Sequence, residues 1–135
     1  MPLAMRLQKH RFVTHFASRT LRPGLTFFLF LNFTQAALFA AAKGQPNVIE
    51  YLLLEVKVDI ESTFETPSKR SLFHVAAEHN HGNVISKLAH CCNVINTPAA
   101  VNLVDARTKY HETALEVAAD FGNLEAVHSL LTDAN

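Results

Sequence analysis

One arrangement of small and large apolar residues occurs three times in this chain, and it constrains the fold more than any other feature. In "ETALEVAADFGNLEAVHSLL", residues 112–131, Leu115, Ala118 and Ala119 lie three and four positions apart, and Leu124, Val127, Leu130 and Leu131 repeat that spacing beyond a glycine. Each half has the period of an amphipathic helix. Gly122 is a stop signal between them, because a residue just past a helix end often takes the left-handed conformation that glycine enters without a Cβ penalty. The stretch therefore predicts a helical hairpin.

Two short helices cannot bury both apolar faces alone, so such a hairpin has to stack on copies of itself. "SLFHVAAEHNHGNVISKL" aligns on it without gaps when Ala76 and Ala77 are set on Ala118 and Ala119. Phe73 then falls on Leu115, Ile85 on Val127 and Leu88 on Leu130. Asn80 takes the place of Gly122, and asparagine is the residue next best suited to a left-handed backbone. On this reading Asn80→Gly is expected to be neutral or stabilising and Asn80→Val destabilising. "ALFAAAKGQPNVIEYLL" is the third copy, with Ala40 and Ala41 as the small pair, Gly44 as the stop, and Val48, Ile49, Leu52 and Leu53 on the second helix. Its first helix is the least regular of the three.

The three copies resemble the ankyrin repeat, a turn and two helices with a T-P-L-H-x-A opening and a period of about 33 residues. The resemblance covers residues 34–135, as repeats of about 34–66, 67–108 and 109–135, and implies an all-α solenoid of stacked helix-turn-helix units. Ser71-Leu72-Phe73-His74 stands where the family has T-P-L-H, and Thr113-Ala114-Leu115-Glu116 stands there in the last copy. In the family the proline pre-sets the first helical turn, while the threonine and histidine join neighbouring repeats by hydrogen bonds. Here the proline is absent from all three places, and only the middle copy keeps a hydroxyl together with the histidine. Weaker coupling between repeats than in a consensus array is the expectation.

Spacing between copies also departs from the family. From Ala40 to Ala76 is 36 residues and from Ala76 to Ala118 is 42. Residues 54–70 and 93–111 are thus long connections, and their alternating β-branched runs read as projecting fingers rather than core. Loops on a rigid scaffold are where binding residues tend to lie.

Formal charge is zero over the 135 residues, but the balance hides a split. Residues 1–49 carry Arg6, Lys9, Arg11, Arg19, Arg22 and Lys43 with no acid, and residues 50–135 hold the other six bases with all twelve acids, giving +6 against −6. The basic arm reads as a solvated start or as a contact for a polyanion or membrane surface. Residues 25–31, "LTFFLFL", follow it, and residues 1–33 are open to four readings: a packed or disordered cap, a secretory or mitochondrial targeting segment, a membrane anchor, and an artefactual start. Residues 25–42 are marginal in length and polarity for a span. Asn32-Phe33-Thr34 matches a glycosylation sequon and is read as coincidence inside this run.

His74, His79, His81, His90, Cys91 and Cys92 crowd into nineteen residues without the ligand spacing that zinc requires. Adjacent cysteines are also poor disulfide partners, so nothing indicates an oxidising compartment. No phosphate-binding loop, dinucleotide fingerprint, nucleophile elbow or metalloprotease motif is present, and Glu50, Glu55, Glu116 and Glu125 read as solvated helix faces. Neither catalysis nor a cofactor or metal is expected.

What the resemblance implies instead is recognition of a partner protein through finger loops and the exposed ends of first helices. Carried over by alignment, those positions are Lys69, Arg70, Glu78 and His79 in the middle copy and Lys109, Tyr110, Glu112, Asp120 and Phe121 in the last. Tyr110 and Phe121 are the expected aromatic anchors. A nucleic-acid partner is not expected, and a cytoplasmic or nuclear setting is. The alternative is a membrane-associated or organelle-targeted protein directed by residues 1–33.

Overall fold

A computed structural model of the chain describes residues 23–60 and 68–134, with side chains from residue 33 onward. The basic arm from Arg6 to Arg22, and the part of the first long connection at 61–67, lie outside the described residues. Helix α1 (Pro23–Lys43) stops at Gly44, and α2 (Pro46–Glu50) follows and runs on into a π-helical turn, Tyr51–Glu55. The middle hairpin is α3 (Leu72–Glu78) and α4 (Gly82–Ile95). A short α5 (Pro98–Asn102) with a 3₁₀ turn (Leu103–Asp105) leads to the last hairpin, α6 (Ala114–Asp120) and α7 (Leu124–Thr132). Helices α1, α3 and α6 pack side by side in one row, and α2, α4 and α7 form a second row behind it.

The same turn closes each hairpin. Gly44, Asn80 and Gly122 have φ of 73°, 59° and 68°, so all three stops are left-handed. In each copy the backbone N–H just past the stop donates to the carbonyl of the first alanine of the pair: Gln45 to Ala40 at 2.9 Å, His81 to Ala76 at 3.0 Å and Asn123 to Ala118 at 2.9 Å. These bonds satisfy carbonyls that a helix end otherwise leaves open. They also confirm the gapless register, since each donor and acceptor occupies the same position in its own copy.

Small residues let the rows approach closely. Ala37, Ala40, Ala41, Ala76, Ala77 and Ala118 are buried, and Phe73, Ile49, Val84, Ile85, Leu88 and Leu130 fill the space between rows and between repeats. Leu115 and Ala119 do not join this core, contrary to the helical-face expectation for the last copy. Phe73 is 1% exposed beneath the last hairpin, whereas its counterpart Leu115 is 37% exposed, and Leu124 reaches 79%. The reason is stacking order: α6 and α7 cover the faces of α3 and α4, and no described helix covers theirs. The buried stripe of α7 is Ala126, Ser129 and Leu130.

The long connections also differ from the projecting fingers expected of them. Val56, Val58 and Ile60 are buried in the core, tied in by the bond from Val58 N–H to the Leu52 carbonyl at 3.0 Å. In the second connection the chain builds α5, because Thr97 caps it by accepting the Ala100 N–H and Pro98 supplies a first-turn φ. Ala100 and Leu103, three apart, turn inward. In this second connection the turn at Thr108–Glu112 is left as a finger, closed by a bond from Thr108 N–H to the Glu112 carbonyl at 3.0 Å.

Side chains stitch the repeats together at equivalent places. His81 donates through Nε2 to the Ala42 carbonyl at 3.0 Å. Asn123, one repeat on, donates to the carbonyls of Ala77 and Glu78 at 2.7 and 2.8 Å. A Cβ at Gly44 would sit 2.7 Å from the His81 ring, so this stop must lack a side chain for packing as well as for φ. His74 Nδ1 accepts the Ser71 N–H at 3.1 Å and lies 2.8 Å from its hydroxyl, while Nε2 donates to the Glu112 carbonyl of the last repeat at 2.8 Å. That histidine link joins the second junction only; at the first, Leu38 occupies the equivalent position. Across the second row Lys87 pairs with Glu50 at 2.8 Å.

Asn80 does more than tolerate its φ: its Oδ1 accepts the Ala126 N–H at 3.1 Å, satisfying an open donor in the first turn of α7. This corrects the expectation for Asn80→Gly. Glycine relieves the backbone but orphans a buried N–H, so a loss of about 1 kcal/mol is expected in urea unfolding, with Asn80→Val losing more.

A second prediction concerns pH. Burial lowers the pKa of His74 below the ordinary histidine value, aided by the Arg70 charge and opposed by the bond to the Glu112 carbonyl. The folded state then holds fewer protons than the unfolded one below about pH 6.5, so this contribution is complete above that value and is lost as pH falls. The urea midpoint should drop between about pH 7.5 and about pH 5.5, and His74→Asn should flatten that drop while lowering the midpoint throughout.

Candidate protein-recognition surface

The repeat register sorts the outward positions of the first-helix row into ranks that cross all three repeats. Phe39, Val75 and Val117 form one rank, Ala42, Glu78 and Asp120 a second, and Lys43, His79 and Phe121 a third. The two valines of the first rank are buried, but Phe39 is 66% exposed. It overhangs a cleft of about 590 Å³ between α1 and α3, whose apolar wall is Leu38, Phe39, Ala42 and Val75.

The polar end of the cleft is held by fixed groups. Arg70 donates to the Glu78 carboxylate, a pair that runs along α3 from its start to its end. His79 donates from Nδ1 to the Val75 carbonyl at 2.9 Å, and its ring lies parallel to that of His81 with centroids 6.3 Å apart. His81 is itself bonded to α1, so His79 is positioned through two repeats.

Beside the cleft the two finger turns meet. Lys109 N–H donates to the Ser68 carbonyl at 3.0 Å, which brings Lys69 and Lys109 to neighbouring turns. Lys69 and His111 both have positive φ, 59° and 65°, as tight turns require. Thr108 Oγ1 accepts the N–H groups of Tyr110 and Glu112 at 3.2 and 3.3 Å, and Arg107 donates to the His111 carbonyl at 2.8 Å. Tyr110 is 66% exposed, with the Lys109 ammonium 5.1 Å from its ring centroid.

Of the residues carried over by alignment, Arg70, Glu78 and His79 come together in the cleft, and Lys69, Lys109 and Tyr110 gather at the finger turns. Glu112 is half-buried and its carbonyl is engaged by His74, so its backbone has a structural task. Asp120 and Phe121 are exposed at the far end of α6 from Tyr110, about 10 Å of helix away. The two aromatic residues therefore occupy opposite edges of the surface. Phe39, Leu38 and Ala42 were missed by sequence reasoning; the available signal was an aromatic residue in a rank where the other copies have valine, and the irregular first helix obscured it.

Interrepeat bonding and burial account for His74, His81, Cys91 and Cys92 of the histidine and cysteine stretch, while His79 and His90 are exposed. His74 and His81 each spend Nε2 on an interrepeat bond, His74 Nδ1 is engaged by Ser71, and burial pushes the thiols of Cys91 and Cys92 up to about 11 and about 12. Protonated, buried thiols are poor nucleophiles and poor metal ligands. Among the described residues no three histidine, cysteine or acidic side chains converge as a metal site would need.

A family model for ankyrin repeats, in three copies, matches residues 37–135. The chain belongs to the ankyrin-repeat family. A comparison with curated proteins found no match. Ankyrin repeats are generally protein–protein interaction modules, and this chain's helical solenoid agrees with that class. Among the described residues no helix is long and apolar enough to cross a membrane.

Because Tyr110 and Phe121 stand clear of the core, truncating either should change stability little. Tyr110→Ala and Phe121→Ala are each expected to stay within about 0.5 kcal/mol of the parent in urea unfolding, against about 3–5 kcal/mol for Phe73→Ala.

Proposed function

We propose that this ankyrin-repeat protein is a non-catalytic adaptor that binds a partner protein across the first-helix row, with the cleft between α1 and α3 at its centre. The observation that carries the reading is Phe39, a large apolar side chain left two-thirds in water above an apolar wall. Covering apolar surface yields about 25 cal/mol per Å², and aromatic residues in desolvated clefts supply a large share of interface energy. The Arg70–Glu78 pair and the bond from His79 to the Val75 carbonyl already order one side of the cleft, which lowers the entropy lost there on binding. Lys69, Arg70, Glu78, His79, Lys109 and Tyr110 then border the contact on the finger side, and Asp120 and Phe121 extend it along α6, with Glu112 supporting the finger turn.

Site-specific photocrosslinking tests this reading. A benzophenone amino acid at position 39 should give a discrete protein adduct in extracts, whereas the same group at His90, exposed on α4 in the other row, should not. Adducts from His90 and none from position 39 would place recognition on the opposite face.

A further inference from the structure

We infer that the partner segment is acidic: an extended stretch with one bulky apolar side chain seated against Phe39 and carboxylates a few residues away on the Lys69 and Lys109 turns. The inference rests on the recognition reading above and adds the chemistry of the occupant. Its warrant is the distribution of charge around the cleft. The only carboxylate lining the cleft among the described residues, Glu78, is already paired with Arg70. Lys69 stands next to that pair on an exposed turn, and the bond from Lys109 N–H to the Ser68 carbonyl brings a second ammonium to the adjoining turn. Lys43 is exposed at the other end of α1, in the rank with His79.

The acids of the last repeat do not cancel this excess in the cleft. Glu116 faces Arg107 at 4.0 Å, Asp120 lies at the far end of α6, and Glu112, half-buried on the finger turn, is outside the cleft lining. A basic segment would bring its cations against Lys69 and Lys109, with no unpaired carboxylate lining the cleft among the described residues to receive them. A neutral segment would itself bring no counter-charge to either ammonium group. Like charges across an interface suppress a partner, and opposite charges raise its on-rate and make it salt-sensitive. The Tyr110 ring, already under the Lys109 ammonium, holds that cation near the turn.

A phage-displayed library of random dodecamer peptides, selected on the full chain, tests the inference directly. Enriched peptides should place Asp or Glu within a few positions of Leu, Ile or Phe. A synthetic peptide of that type should lose about tenfold in affinity to the Lys69→Glu/Lys109→Glu variant, and should weaken as salt is raised. It should also lose affinity to Phe39→Ser, while a peptide with Lys in place of its acids should bind the doubly reversed variant better than the parent. Selection of basic or uncharged peptides that Phe39→Ser abolishes would overturn the acidic occupant and leave the cleft as the binding surface. Peptides indifferent to Phe39→Ser, or no enrichment at all, would overturn both. Circular dichroism and urea midpoints equal to those of the parent establish that the variants are folded, all three positions being exposed.

Discussion

Everything in this molecule depends on a left-handed residue following a pair of small ones. The positive φ at Gly44, Asn80 and Gly122 turns the chain through the hairpin and sends the next N–H back to an alanine carbonyl. It also aims the following side chain at the preceding repeat, where His81 and Asn123 find the carbonyls of Ala42 and Glu78. One local conformation thus fixes both the hairpin and its stacking. The three stops are not interchangeable. Gly44 is needed because a histidine ring occupies the space its Cβ would take, while Asn80 contributes an acceptor that glycine lacks.

Stacking in two rows determines where function can reside. Residues between the rows and between neighbouring repeats are consumed by packing, as Ala77, Ile85 and Phe73 are. Residues on the outer side of the first-helix row bond within their own repeat, as Glu78 does with Arg70 and His79 with the Val75 carbonyl, and where they are exposed their identity is free to differ between copies. The rank of Phe39, Val75 and Val117 expresses this freedom, with one copy projecting a ring where two keep a small branched chain. Fixed polar neighbours, the Arg70–Glu78 pair and the doubly anchored His79, turn that rank into a shaped cleft.

Much of the fold was legible because the signals were local and repeated. Helix periodicity, the alanine pairs and the stops reported the same hairpin three times, and the T-P-L-H remnant at residues 71–74 supplied the family. The connections were misread because β-branched runs carry no period of their own; burial of Val58 and Ile60 is decided by a space between helices that no local pattern describes. Exposure of Leu115 and Leu124 was invisible for a related reason. An apolar helical face predicts burial only where a neighbour exists to cover it, and that is a property of the array. Of the proposed surface, alignment pointed to Arg70, Glu78, His79 and the finger turn, but Phe39 sat in the copy with the weakest pattern, and the meeting of the Lys69 and Lys109 turns spans 40 positions of sequence.

The same geometry sets how binding and stability interact. In a linear array each repeat is stabilised by its own hairpin and by the interfaces with its neighbours. The last hairpin has one such interface among the described residues, and it leaves Leu115, Leu124 and Leu131 in water, so it should open more readily than the middle one. Its hydrogen bonds to the middle repeat include His74 to the Glu112 carbonyl, Asn123 to two carbonyls, Asn80 to the Ala126 N–H, Ser86 to the Asp133 carboxylate, and Lys109 to Ser68. Two of these, at Glu112 and Lys109, belong to the finger turn itself. A partner that spans the Lys69 and Lys109 turns engages the middle and last repeats at once and binds only when they are docked. In the proposed complex its binding free energy adds to the junction between the middle and last repeats, which couples ordering of the last repeat to occupancy of the cleft.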